Sequence, residues 1–190
     1  MLIAIYGGSF NPLHFGHTGL AAWVAAHTDV DEVWLMVTPN NPLKLGTILA
    51  DEQVRLQAAK QEISRLQAAN NIEGIGRVRV SDFEFGLPRP SFTANTLREL
   101  TKAYPEHRFA LLIGQDNWTI RHKWREWDSI QDNYPIYVYP RGNEGFDAIE
   151  HELADHKGEI HLLREAPLFD ISSTELRDAN NNEYIYKQKF

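Results

Sequence analysis

Six short apolar or β-branched runs, each of strand length, recur along the chain at 2–6, 32–37, 77–83, 109–113, 136–139 and 160–163, with helix-like stretches between most of them. Few folds accommodate that rhythm. Parallel neighbours need crossover connections, and the crossing helices must bury their apolar sides against the sheet. The pattern predicts an α/β fold: a Rossmann-like, doubly wound parallel sheet with helices on both faces. The clearest helix spans 51–69, where Val54, Ala58, Ala59, Ile63, Leu66 and Ala69 recur at near-helical spacing and Asp51 suits an N-cap. Segments 92–104 and 146–155 read the same way. Ligands of such folds lie beyond the carboxyl ends of the strands, which directs attention to the loop after the first one.

The turn-rich stretches 38–46, 85–90 and 141–145 lack the length of interdomain linkers, and no internal repeat is visible, so residues 1–190 are expected to form a single domain. Nineteen Lys and Arg against 26 Asp and Glu leave a net charge of −7, which argues against a nucleic-acid polymer as partner. A small anion would need a local cluster of donors working against that field. The chain has no cysteine, so disulfides, thiolate zinc sites and cysteine nucleophiles are excluded, and a cytoplasmic setting is expected. No apolar run approaches the ~18 residues of a membrane span. The amino end has no basic region of the kind that opens a signal peptide.

The first run leads directly into Gly7-Gly8-Ser9-Phe10-Asn11-Pro12-Leu13-His14-Phe15-Gly16-His17. Adjacent glycines permit a sharp turn and a close ligand approach. A helix is expected to begin near Gly16, since Leu20, Val24 and His27 continue at helical spacing, and its free N–H groups would face the same crevice. With two imidazoles at the entrance, a phosphate-binding role is chemically reasonable. A single histidine is far more often structural or solvated, and His-x-x-His can also hold a metal. No third ligand stands at an obvious spacing, so no metal site is expected. The P-loop pattern is absent, and Gly74-Ile75-Gly76 lacks the third glycine of a dinucleotide loop.

Taken together, GGSF-x-P followed by His14-Phe15-Gly16-His17 resembles the amino-terminal signature of the HxGH nucleotidyltransferase superfamily. Ile171-Ser172-Ser173-Thr174-Glu175-Leu176-Arg177 is similar to that superfamily's second signature, ISSTxxR. Three middle segments resemble nicotinate-nucleotide adenylyltransferases in particular: Thr38–Lys44, Pro90–Leu97, and Ile113–Asn117 followed by Trp124. The likeness covers most of residues 1–177. Asn11 stands where the family usually has Asp, and Phe92 where it usually has Tyr.

The resemblance implies adenylyl transfer from ATP to nicotinate mononucleotide, giving deamido-NAD and pyrophosphate in NAD biosynthesis. It implies that His14, His17 and Arg177 act on the ATP phosphates, with Gly7, Gly8, Ser9, Phe10, Ser172, Ser173 and Thr174 completing the ATP site. Lys44, Thr93, Gly114, Asp116 and Trp124 would serve the mononucleotide, the Trp124 indole by stacking on the pyridine ring. Magnesium would arrive with ATP. A nicotinamide mononucleotide enzyme, another superfamily adenylyltransferase and a non-catalytic nucleotide-binding protein remain alternatives. The short carboxyl-terminal helical region expected after Arg177 leaves homo-oligomerisation open.

Overall fold

A computed structural model of the chain describes residues 1–39, 50–141, 146–153 and 158–169. Strands β1 (Leu2–Gly8), β2 (Glu32–Val37), β3 (Val78–Ser81), β4 (Arg108–Gly114), β5 (Ile136–Tyr139) and β6 (Ile160–Leu162) form one parallel sheet in the order β3-β2-β1-β4-β5-β6. The order reverses at β1, which places β1 and β4 at the topological switch point. The doubly wound expectation holds.

Period-two alternation builds the two layers. In β1, Ala4 and Tyr6 face one cluster and Ile3 and Ile5 the other, all buried. Helices α1 (Phe15–His27) and α2 (Glu52–Ala69) cover the first face with Leu20, Val24, Leu56, Ile63 and Leu66. Helix α3 (Thr93–Ala103) covers the second with Leu97 and Leu100. It is joined there by Trp118 of α4 (Gln115–Thr119), Ile130 of α5 (Trp127–Asn133) and Ile149 of α6 (Asp147–Leu153).

Asp51 caps α2 as expected, its Oδ1 accepting the N–H groups of Gln53 and Val54. The buried stripe of that helix is differently phased from the one the sequence suggests. Arg55, Leu56, Ala59, Ile63 and Leu66 face inward, whereas Val54 is 61% exposed and Ala58 and Ala69 lie outside. The helix turns on its 56/59/63/66 stripe, and Arg55 is carried inward with it. Helices α4 and α5 have no counterpart among the expected elements. Gly74, at φ 82°, starts a 3-10 turn (Ile75–Arg77) against α1, and a Cβ there would lie 2.1 Å from the Ala22 carbonyl oxygen. That glycine serves packing.

Candidate active site

The carboxyl end of β1 keeps its partner on one side only. Gly7 and Gly8 pair with Met36 and Val37 of β2, whereas pairing with β4 runs from Leu2 to Ile5. The Thr38 N–H continues the β2 side, donating to the Gly8 carbonyl at 2.9 Å. A Cβ on Gly7 would meet nothing within 4 Å, so the strand opens there into free space. One on Gly8 would lie 2.9 Å from the Phe10 ring, which folds back beneath the turn from a backbone at φ 43°.

The turn delivers His14 to the N-cap of α1, where its carbonyl accepts the N–H groups of His17 and Thr18. The His14 N–H in turn donates to His17 Nδ1 at 3.3 Å. An accepting Nδ1 places the proton of a neutral His17 ring on Nε2, making that atom a donor. The two imidazole centroids are 3.7 Å apart with planes at 34°. The His17 ring is held edge-to-face on Phe10 at 5.1 Å and tilted on Tyr6 at 6.1 Å. Two donor-bearing rings thus stand at a helix N-terminus, where the dipole favours an anion.

Tyr6 connects this group to the far side of the switch point. Its hydroxyl lies 3.0 Å from that of Tyr139 at the end of β5, so the pair bridges across β4. Gly114 makes this reach sterically feasible: a Cβ there would lie 3.1 Å from the Tyr139 ring and 2.4 Å from Asp116 Oδ1. Burial, reinforced by Tyr139, pushes the Tyr6 phenol well above its ordinary range, and burial likewise raises Tyr139. Both stay neutral donors. Arg141 stands over the Tyr139 ring at 5.8 Å and lies 3.8 Å from Asp116, which is on the first turn of α4.

A second group forms around α3. Thr93 is its first residue, and the Phe92 carbonyl before it accepts from Asn95 and Thr96. Arg125 lies over the Phe92 ring at 5.0 Å, bringing the Trp124 turn beside this helix start. Trp124 stands edge-to-face on Trp127 at 5.8 Å, and Trp127 on Trp118 at the same distance. Trp118 and Trp127 are core residues, at 1% and 8% exposure, while Trp124 is only partly covered. Below them, Glu84 is buried and accepts from the Thr96 hydroxyl at 2.8 Å.

Residues 5–179 match the Cytidylyltransferase-like family model. A probable nicotinate-nucleotide adenylyltransferase of Bacteroides fragilis is 43% identical over 92% of this chain and 80% of its own. One from Flavobacterium psychrophilum is 39% identical over 96% of this chain and 88% of its own. The chain belongs to the nicotinate-nucleotide adenylyltransferase family. Its fold is that of the Plasmodium falciparum nicotinic acid mononucleotide adenylyltransferase solved with NaAD, at a TM-score of 0.75 and 17% identity, covering 96% of this chain and 85% of that one.

Of the residues expected to serve a nicotinate-nucleotide adenylyltransferase, Gly7, Gly8, Ser9, Phe10, His14 and His17 gather at the end of β1. Gly114 and Asp116 join them through Tyr6 and Tyr139. Thr93 and Trp124 belong to the second group. Lys44, Ser172, Ser173, Thr174 and Arg177 lie outside the described residues. Phe169, just ahead of that second signature, packs on Phe15 at 5.2 Å and fills the space a Cβ on Gly19 would need. Residue 169 therefore lies beside the first turns of α1. Tyr6, Tyr139, Arg141 and Glu84 belong to no motif in the sequence, and the one signal for them is a tyrosine near the end of a strand at the switch point.

Proposed function

We propose that this chain transfers the adenylyl group of ATP to nicotinate mononucleotide, releasing pyrophosphate and forming deamido-NAD. The observation that carries this reading is the closely apposed His14–His17 pair at the N-terminus of α1, in a chain about 40% identical to family members over nearly its whole length. A 5′-phosphate oxygen is already nucleophilic at neutral pH, so the protein has to align two anions and stabilise the charge growing on pyrophosphate.

In this reading His17 Nε2 and His14 donate to the ATP phosphates, with Arg177 and the Ser172–Thr174 hydroxyls on the same nucleotide. Gly7, Gly8, Ser9 and Phe10 form the floor beneath it. Asp116 and Gly114 shape the mononucleotide side with Lys44 and Thr93, and Trp124 stacks on the pyridine ring. The ring's support comes from below, since Trp127 holds Trp124 edge-to-face.

Magnesium would ride on the triphosphate: the described donors at the end of β1 are mainly nitrogens and hydroxyls, and Asp116 already faces Arg141. There it would supply charge neutralisation of the phosphate oxygens. No described helix is long and apolar enough to cross a membrane. The cytoplasm, which holds both substrates, is the proposed location.

The test is turnover by the purified chain with ATP and magnesium and either nicotinate or nicotinamide mononucleotide. Deamido-NAD and pyrophosphate formed with a preference for the acid support the reading. Preference for the amide, or no pyrophosphate release, refutes it.

A further inference from the structure

Arg55 is a cationic side chain turned into the buried face of α2, at 3% exposure. Its guanidinium donates to main-chain carbonyls in three separate segments. Nε reaches Ala50 at 3.0 Å, Nη1 reaches Ser9 at 2.5 Å and Thr38 at 3.0 Å, and Nη2 reaches Pro39 at 3.2 Å. The carboxylates that act on it, Asp51 and Glu52, are engaged elsewhere: Asp51 caps α2 and Glu52 pairs with Arg89 at 2.7 Å.

The tied segments are those that frame the open end of β1. Ser9 leads through the turn into His14. Thr38 and Pro39 leave β2, and the Thr38 N–H is itself fixed to Gly8. Ala50 precedes the Asp51 cap of α2, and its N–H donates to Asn11 Oδ1 at 3.3 Å, so both of its main-chain groups are held in the same knot. A planar fork can satisfy carbonyls in several directions at once, whereas an ammonium offers its protons from one point.

We infer that Arg55 is a positioning residue for adenylyl transfer, fixing through Ser9, Thr38, Pro39 and Ala50 the turn that sets His14 and His17 at the cleft. The inference rests on the adenylyltransferase reading of this site. Arg55 acts through the backbone and touches no substrate. A displacement of the two imidazoles by a fraction of an ångström lowers the rate of an alignment-limited transfer while substrates still bind.

The test compares the full chain with Arg55→Lys and Arg55→Ala, using ATP and nicotinate mononucleotide well below each variant's melting temperature. Arg55→Lys is expected to lose about 10–100-fold in kcat while both KM values stay within about threefold. Methylguanidinium should restore part of the turnover of Arg55→Ala and none of that of Arg55→Lys. In the unmutated protein, NMR should show distinct, slowly exchanging Nε–H and Nη–H protons for Arg55, a measurement that needs no variant to fold. Folded variants with a lowered melting temperature but full kcat would overturn the positioning role, as would averaged guanidinium signals. An unmutated chain that makes no deamido-NAD would refute the underlying reading, whereas an active one beside a fully active Arg55→Lys refutes the Arg55 role alone.

Discussion

His17 accepts the main-chain N–H of His14 through Nδ1 at 3.3 Å while its ring lies 3.7 Å from the His14 ring. That hydrogen bond fixes the orientation of the His17 ring and puts the proton of its neutral form on Nε2. With Nδ1 occupied, His17 turns Nε2–H outward beside the His14 ring, so the two imidazoles can offer donors to one anion. The relation explains why the tetrapeptide needs its second histidine at the third helical position.

Replacing His17 with Ala removes a preorganised donor and is expected to lower kcat by roughly 10²–10³. Steady-state turnover with the fold verified by circular dichroism measures this. Unchanged turnover would remove His17 from the reacting centre.

Trp124 is held by Trp127 yet only partly covered, an arrangement suited to stacking. Trp124→Ala should weaken mononucleotide binding by about 1–3 kcal/mol, the range for one stacked base, and leave ATP affinity nearly intact. Calorimetric titration of each substrate decides. Loss confined to ATP would reject the role.

Burial raises the Glu84 carboxyl above its ordinary 4.5, against the opposing pull of the Thr96, Thr38 and Ser91 hydroxyls. The folded state therefore keeps this proton more tightly than the unfolded one. Stability contributed here falls as pH rises from 4.5 through the folded value and levels off above it. Denaturant titrations across that window should show this decline, and Glu84→Gln should flatten it and be the more stable protein at neutral pH. Parallel profiles for the two proteins would contradict the assignment.

Gly114→Ala forces Asp116 and the Tyr139 ring apart, since the new Cβ would meet both. The mononucleotide KM should rise about tenfold, equivalent to ~1.4 kcal/mol. An unaltered KM would exclude Asp116 and Gly114 from that subsite.

The strands were legible because each presents alternate side chains to two apolar layers, so even runs of three or four residues stand out; their observed ends fall within two residues of the expected ones. Helices α4 and α5 were not: α4 has only five residues, too few to repeat a period, and α5 buries only Trp127 and Ile130. In α2, small apolar residues such as Val54 and Ala58 draw the expected stripe to one side, while Arg55 reads as a solvent residue although it is buried. At the site, His14 and His17 lie close together in one motif and could be found. Tyr6 and Tyr139 stand 133 residues apart and meet only because β4 lies between their strands and carries a glycine there. Proximity of that kind is written in topology.

The strand order has a consequence for how the molecule is made. β1 leaves the ribosome well before β4, so one of its edges stays bare until residues 108–111 are synthesised to pair with it. Through that interval the nascent chain exposes an apolar edge ending in two glycines, the kind of edge that other chains can add to. Slow translation between β3 and β4 would lengthen this exposure, so the innermost strand of the finished enzyme is the one most in need of protection at birth.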